Sequence, residues 1–142
     1  MIFELQLLVL LILLVASSID FKKKEVPSFF LTAGIFVVAL VGFNYFGITS
    51  LAFGVFAFLL GLLLYDLNFF GGIADIKALA LIGLLIPNMK IFFLFTFFVL
   101  IMGLLYKGLI KFVLNKPDNY QVPFLFAILI AYIGLLMAMW GY

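Results

Sequence analysis

Long apolar runs fill this chain, and polar residues interrupt them at only a few places. The breaks fall at "DFKKKE" (residues 20–25), near Gly47, at "YDLNFFGG" (65–72), at "PNMK" (87–90) and at "KPDNYQ" (116–121). The intervening runs predict helices over Ile2–Ile19, Ser28–Phe46, Ser50–Leu64, Ile73–Ile86, Ile91–Ile110 and Val122–Trp140. A helix that crosses a bilayer needs roughly 20 apolar residues, so the chain divides into about six spans with little left over. The expected fold is all-α: a polytopic membrane protein whose residues 1–142 form a single transmembrane domain, one bundle with no soluble domain beside it. The third and fourth runs are short for a full crossing, so their flanks, "YDLNFFGG" included, are expected at membrane depth against other helices.

Composition agrees with that pattern. At 69% hydrophobic and 10% charged, the chain holds more apolar surface than a soluble domain of its size could hide. The opening "MIFELQLLVLLILLVASSID" has the hydrophobicity of a signal peptide, but it lacks a basic leading region and a clear small-x-small cleavage site, which favours a retained first span. Every basic residue is lysine, and the net charge of +2 is ordinary for loops at an anionic lipid surface and carries no sign of nucleic-acid binding. Short lysine-rich loops stay cytoplasmic. Lys22, Lys23, Lys24, Lys77, Lys107, Lys111 and Lys116 all fall on one side of the predicted bundle, and Lys90 alone falls on the other. The expected orientation therefore puts both termini outside, with Trp140 and Tyr142 in the outer aromatic belt.

The chain has no cysteine and no histidine, which removes disulfides, thiol nucleophiles, zinc–thiolate sites and histidine-based triads together. Catalysis would fall to Asp, Glu, Lys, Ser, Thr or Tyr, with no cofactor or metal expected. Among the acids Glu4, Asp20, Glu25, Asp66, Asp75 and Asp118, two stand out by position. Asp20 ends the first span and Asp75 opens the fourth, so the predicted topology puts both at the cytoplasmic end at similar depth. Asp20 shares its helix face with Ala16 and Ser17, and Asp75 shares its own with Ala78, Leu79, Ile82 and Gly83. Small neighbours let two backbones approach closely, and Gly71 and Gly72 permit an irregular backbone just before Asp75.

Two close carboxyl groups do not readily both ionise; they share a proton and titrate as a unit. The ionised member can take a proton from water while the protonated member polarises a carbonyl, which hydrolyses a peptide bond without an acyl-enzyme. Read singly, each aspartate is equally a helix cap or a solvated headgroup-level residue. Read together, they lean towards function, as intramembrane ionisable groups do.

These residues also resemble a known family. "SSIDFKKKEVPSF" is similar to the first motif of the type IV prepilin and preflagellin (prearchaellin) peptidases, which are GxGD-type intramembrane aspartyl proteases, and "GGIADIKALALIGLLI" is similar to their second. "VPF" at Val122–Phe124 resembles the start of their last helix. The resemblance implies that Asp20 and Asp75 are the catalytic pair, supported by Gly71, Gly72, Ala74 and Lys77. Gly72 matches the motif's first glycine, and Ala74 stands where its second usually lies. The larger bacterial enzymes carry a cysteine-rich cytoplasmic insertion and also methylate the new N-terminus; without that insertion, the implied activity is peptidase alone. Substrates would be pilin-like or archaellin-like precursors with a short basic leader before a hydrophobic helix, cut at the cytoplasmic face of the cell membrane.

The remaining polar residues read more plainly. Lys77 lies about 200° around the helix from Asp75, so a direct ion pair is awkward; a snorkelling anchor is the simpler role, tuning of the aspartates the sharper one. Lys22–Lys24 set topology, and Glu25, Asp66 or Asp118 would have to receive a basic leader. Asp66 competes for a catalytic role, yet lacks the glycine–Asp–helix context and reads as a loop or cap. Glu4 and Gln6 lie near the outer end of the first span. "NKPDNY" is a turn, and Pro27 and Pro123 suit span starts. The rival reading is a small transporter or channel subunit whose acids bind a cation or relay protons, although the polar lining such a pathway needs is missing from the mid-helix positions.

Overall fold

The computed structural model describes residues 2–23, 28–67, 72–115 and 124–141, without the side chains of residues 21–23. Gly71, Lys24, Glu25, Pro27, Lys116, Asp118, Val122, Pro123 and Tyr142 lie outside the described residues, as does most of the "NKPDNY" turn. Among the described residues six helices follow one another: α1 (Ile2–Lys23), α2 (Ser28–Phe46), α3 (Ile48–Asp66), α4 (Ile73–Gly83), α5 (Met89–Val113) and α6 (Leu125–Trp140).

Local chemistry explains where their ends depart from the expected boundaries. α3 is longer than expected because one residue, Gly47, makes the whole turn from α2. Its φ of 62° favours glycine, and its amide closes α2 on the Phe43 carbonyl at 2.8 Å. α4 stops at Gly83, short of the expected Ile86. Pro87, four residues on, has no amide to offer the Gly83 carbonyl, which accepts from Ile86 instead at 3.2 Å. α5 starts early because the Asn88 side chain caps it, accepting from the Ile91 amide at 3.0 Å. α1 continues past the hydrophobic run to Lys23, so Asp20 sits inside a helix rather than at its end.

Among the described residues, four helices have the length and apolarity to cross a membrane: α1 over Ile2–Asp20, α2, α3 and α5. α6 is a shorter apolar helix of 16 residues, and α4 has only 11. The protein is a multi-pass membrane protein. Its surface carries large apolar side chains such as Phe36, Leu40, Phe58, Leu59, Phe93, Phe97 and Leu104, as lipid contact demands.

The short α4 occupies the centre, flanked by α1, α2, α3 and α6. From Asp75 to Gly83 every residue except Lys77 is buried. Lipid tails are as apolar as leucine, so helices join in a bilayer through close packing rather than hydrophobic drive. α3 supplies a stripe of small buried residues, Ser50, Gly54, Ala57 and Gly61. A Cβ on Gly61 would stand 3.2 Å from the Ile76 Cα, and one on Gly83 would stand 2.7 Å from the Phe53 carbonyl oxygen. α4 ends inside the protein, where an open carbonyl would be costly. The Ser50 hydroxyl of α3 donates to the Leu84 carbonyl there. α5 packs along α6 and meets α3 through the Phe53–Phe92 ring pair, whose centroids are 5.6 Å apart.

Candidate active site

α1 and α4 are antiparallel, and one layer of side chains fixes their register. A Cβ on Gly34 of α2 would touch Ile12 of α1 at 3.4 Å and Leu81 of α4 at 3.7 Å. Asp20 lies eight residues beyond Ile12 and Asp75 six residues before Leu81, both towards the same end of the bundle. At about 1.5 Å of rise per residue, the two Cα positions are roughly 12 and 9 Å from that layer. Helical side chains tilt towards the N-terminus, which is the inward direction for Asp20 and the outward one for Asp75, so the carboxyl groups are closer in depth than the backbones.

Each aspartate has a different setting. Asp75 stands in the first turn of α4 and is 5% exposed, and its own amide bonds the Gly72 carbonyl at 3.3 Å. Asp20 is partly buried, and its carboxylate accepts a hydrogen bond from the backbone amide of Leu125, the first residue of α6. The small neighbours expected beside them are in place: Ala16, Ser17, Ala78 and Gly83 are all buried. Among the described residues, no three acidic side chains gather where they could hold a metal ion.

The supporting residues divide. Lys77 is more than a snorkelling anchor, because its ammonium crosses to the first turn of α2. There it donates to the Ser28 hydroxyl, to the Thr32 hydroxyl at 2.8 Å and to the Ser28 carbonyl at 3.3 Å. Sequence reading missed Ser28 and Thr32 as its partners. The available signal was two hydroxyls four residues apart at the start of an apolar helix, on one face. Gly72 does not show the backbone freedom expected of it: its φ of −173° is extended, and a Cβ there would meet nothing. Ala74 is half-buried against the core.

Asp66 is the last residue of α3 and is exposed at the same end as the two aspartates. Glu4 is exposed at the opposite end, but Gln6 beside it is buried. The Gln6 side chain accepts from the Trp140 indole at 2.9 Å, and its backbone carbonyl accepts from the Tyr132 hydroxyl at 3.1 Å.

No curated protein and no solved structure matches this chain. The family model described as the type IV leader peptidase family matches residues 7–108. That stretch holds both aspartates, Lys77 and most of the first five helices; α6 lies beyond it. With a match over most of its length and an all-helical membrane bundle, the chain belongs to the type IV leader peptidase family, and is thus a membrane-embedded protease.

Proposed function

We propose that this protein is an aspartic endopeptidase in which Asp20 and Asp75 jointly activate water to remove the short basic leader from pilin-like or archaellin-like precursors. The observation that carries the reading is the shared depth of the two aspartates on the neighbouring helices α1 and α4, with Asp75 buried. In such a pair one carboxyl group is ionised and draws a proton from water as it attacks the scissile carbonyl. The other is protonated and gives its proton to the carbonyl oxygen; as the tetrahedral intermediate collapses, the proton taken from water passes to the leaving amine and the hydroxyl proton returns to the second carboxyl group. Water and two carboxyl groups complete the reaction without a bound cofactor.

The lysine distribution supports a cytoplasmic position for this end of the bundle. A precursor whose leader remains in the cytoplasm while its hydrophobic helix enters the bilayer would present its junction at that depth. Peptidase activity without methyl transfer is supported by the short α1–α2 connection, residues 24–27, and by the lack of cysteine.

The test is cleavage of candidate precursors in membranes containing the wild type, Asp20→Asn or Asp75→Asn protein, followed by precursor size on a gel. The expected result is shortening by the wild type and none by either variant, with all three inserted equally. Cleavage by both variants would sink the reading and make ion flux the next assay.

A further inference from the structure

The first turn of α6 is held by a fit that the aspartate motifs do not contain. Phe124, the residue before α6, is 1% exposed, and its ring lies against Gly103 of α5. A Cβ on Gly103 would stand 3.0 Å from the Phe124 Cε2 and closer still to Cζ, so any larger residue there must push the ring away. Two residues on, Phe126 meets Tyr106 of α5 with ring centroids 6.0 Å apart. Between these two rings lies Leu125, 0% exposed, whose backbone amide donates to the Asp20 carboxylate.

We propose that Phe124, seated on Gly103, is a positioning residue for Asp20: it fixes the first turn of α6 so that the Leu125 amide holds the Asp20 carboxylate in its working orientation. The proposal rests on the reading of Asp20 as catalytic. The first amides of a helix have no partner within it, so the Leu125 amide is free to serve a carboxylate on another helix. A carboxylate on an isolated α1 could rotate; one hydrogen-bonded to a rigid backbone donor has a single preferred direction. Through Gly103, α5 sets where that donor lies.

The direct test replaces the Leu125 amide with an ester by incorporating the matching α-hydroxy acid, which deletes the N–H and keeps every side chain. Cleavage of a candidate precursor is measured per folded protein, with Asp20→Asn alongside. The expected result is a kcat lowered about tenfold to a hundredfold with KM unchanged, the loss of one hydrogen bond to a charged group. In a parallel pair, Gly103→Ala lowers kcat in the same way, and adding Phe124→Leu to it restores most of the loss by making room for the new methyl. A purely structural role would lower the yield of folded protein and leave kcat per folded molecule alone. An ester variant with wild-type kcat, beside an inactive Asp20→Asn, would overturn the positioning role while leaving the aspartate pair intact. A fully active Asp20→Asn protein would overturn both.

Discussion

Helices α1 and α6 are joined at both ends of the bundle, by groups of different chemistry. At one end the join is neutral: buried Gln6 takes hydrogen bonds from the buried Tyr132 and from the exposed Trp140, and the Trp140 ring tilts against Phe3 with centroids 4.9 Å apart. At the other end the join is between an ionisable side chain, Asp20, and the backbone of Leu125. A neutral pair carries no charge to use in chemistry, whereas a carboxylate held by a backbone donor keeps acceptor capacity for a further partner. The same two helices therefore carry a fastening at one end and the carboxylate of the proposed catalytic pair at the other.

The largest effect should come from removing the proposed catalytic carboxyl groups. Asp20→Asn or Asp75→Asn should cut precursor cleavage at least about a thousandfold, in line with the loss of acid–base catalysis, while thermal unfolding in detergent stays close to wild type. A large fall in stability with either variant would mean that these acids act as a fastening too.

Next in size is the scaffold beneath both ends. Gly83→Leu forces a side chain into the Phe53 backbone and Ala57, and should destabilise the fold by about 1–3 kcal/mol or more. Size-exclusion profiles and unfolding curves would show it, and a variant as stable as wild type would contradict the close α3–α4 contact.

Lys77→Met should have a smaller effect, because it releases the α4–α2 tie at Ser28 and Thr32 without touching either aspartate. Unfolding free energy should fall by about 1–2 kcal/mol. Lys77→Arg, which keeps donors and charge, should recover part of the loss; equal loss in both variants would point to packing rather than hydrogen bonding.

The smallest effect should come from the neutral end. Gln6→Leu removes the acceptor for the Trp140 indole and should cost about 0.5–1 kcal/mol in stability, the usual range for such bonds in membranes, with kcat unchanged. A tenfold loss of kcat there would show that the two ends are coupled and that the contrast between them fails.

Much of this was legible in the chain. Continuous apolar runs marked all six helices, since a segment in lipid must satisfy its own backbone, and two aspartates at span ends marked the candidate site. Ends controlled by single residues were less readable. Gly47 packs a turn into one position, and Pro87 takes effect four residues upstream of itself, so runs of hydropathy overran or undershot the helices there.

By itself the sequence determined that this is a helical membrane protein with two acids brought to one end, because hydropathy and helix rise act along the chain. Only the tertiary structure decided that α4 is the enclosed central helix, that Lys77 binds α2 and that Asp20 meets the Leu125 amide. Those contacts depend on which faces of separate helices meet. In a bundle of nearly uniform hydrocarbon, that choice rests on a few glycines, such as Gly61, Gly83 and Gly103, whose missing side chains matter only once a neighbour fills the space.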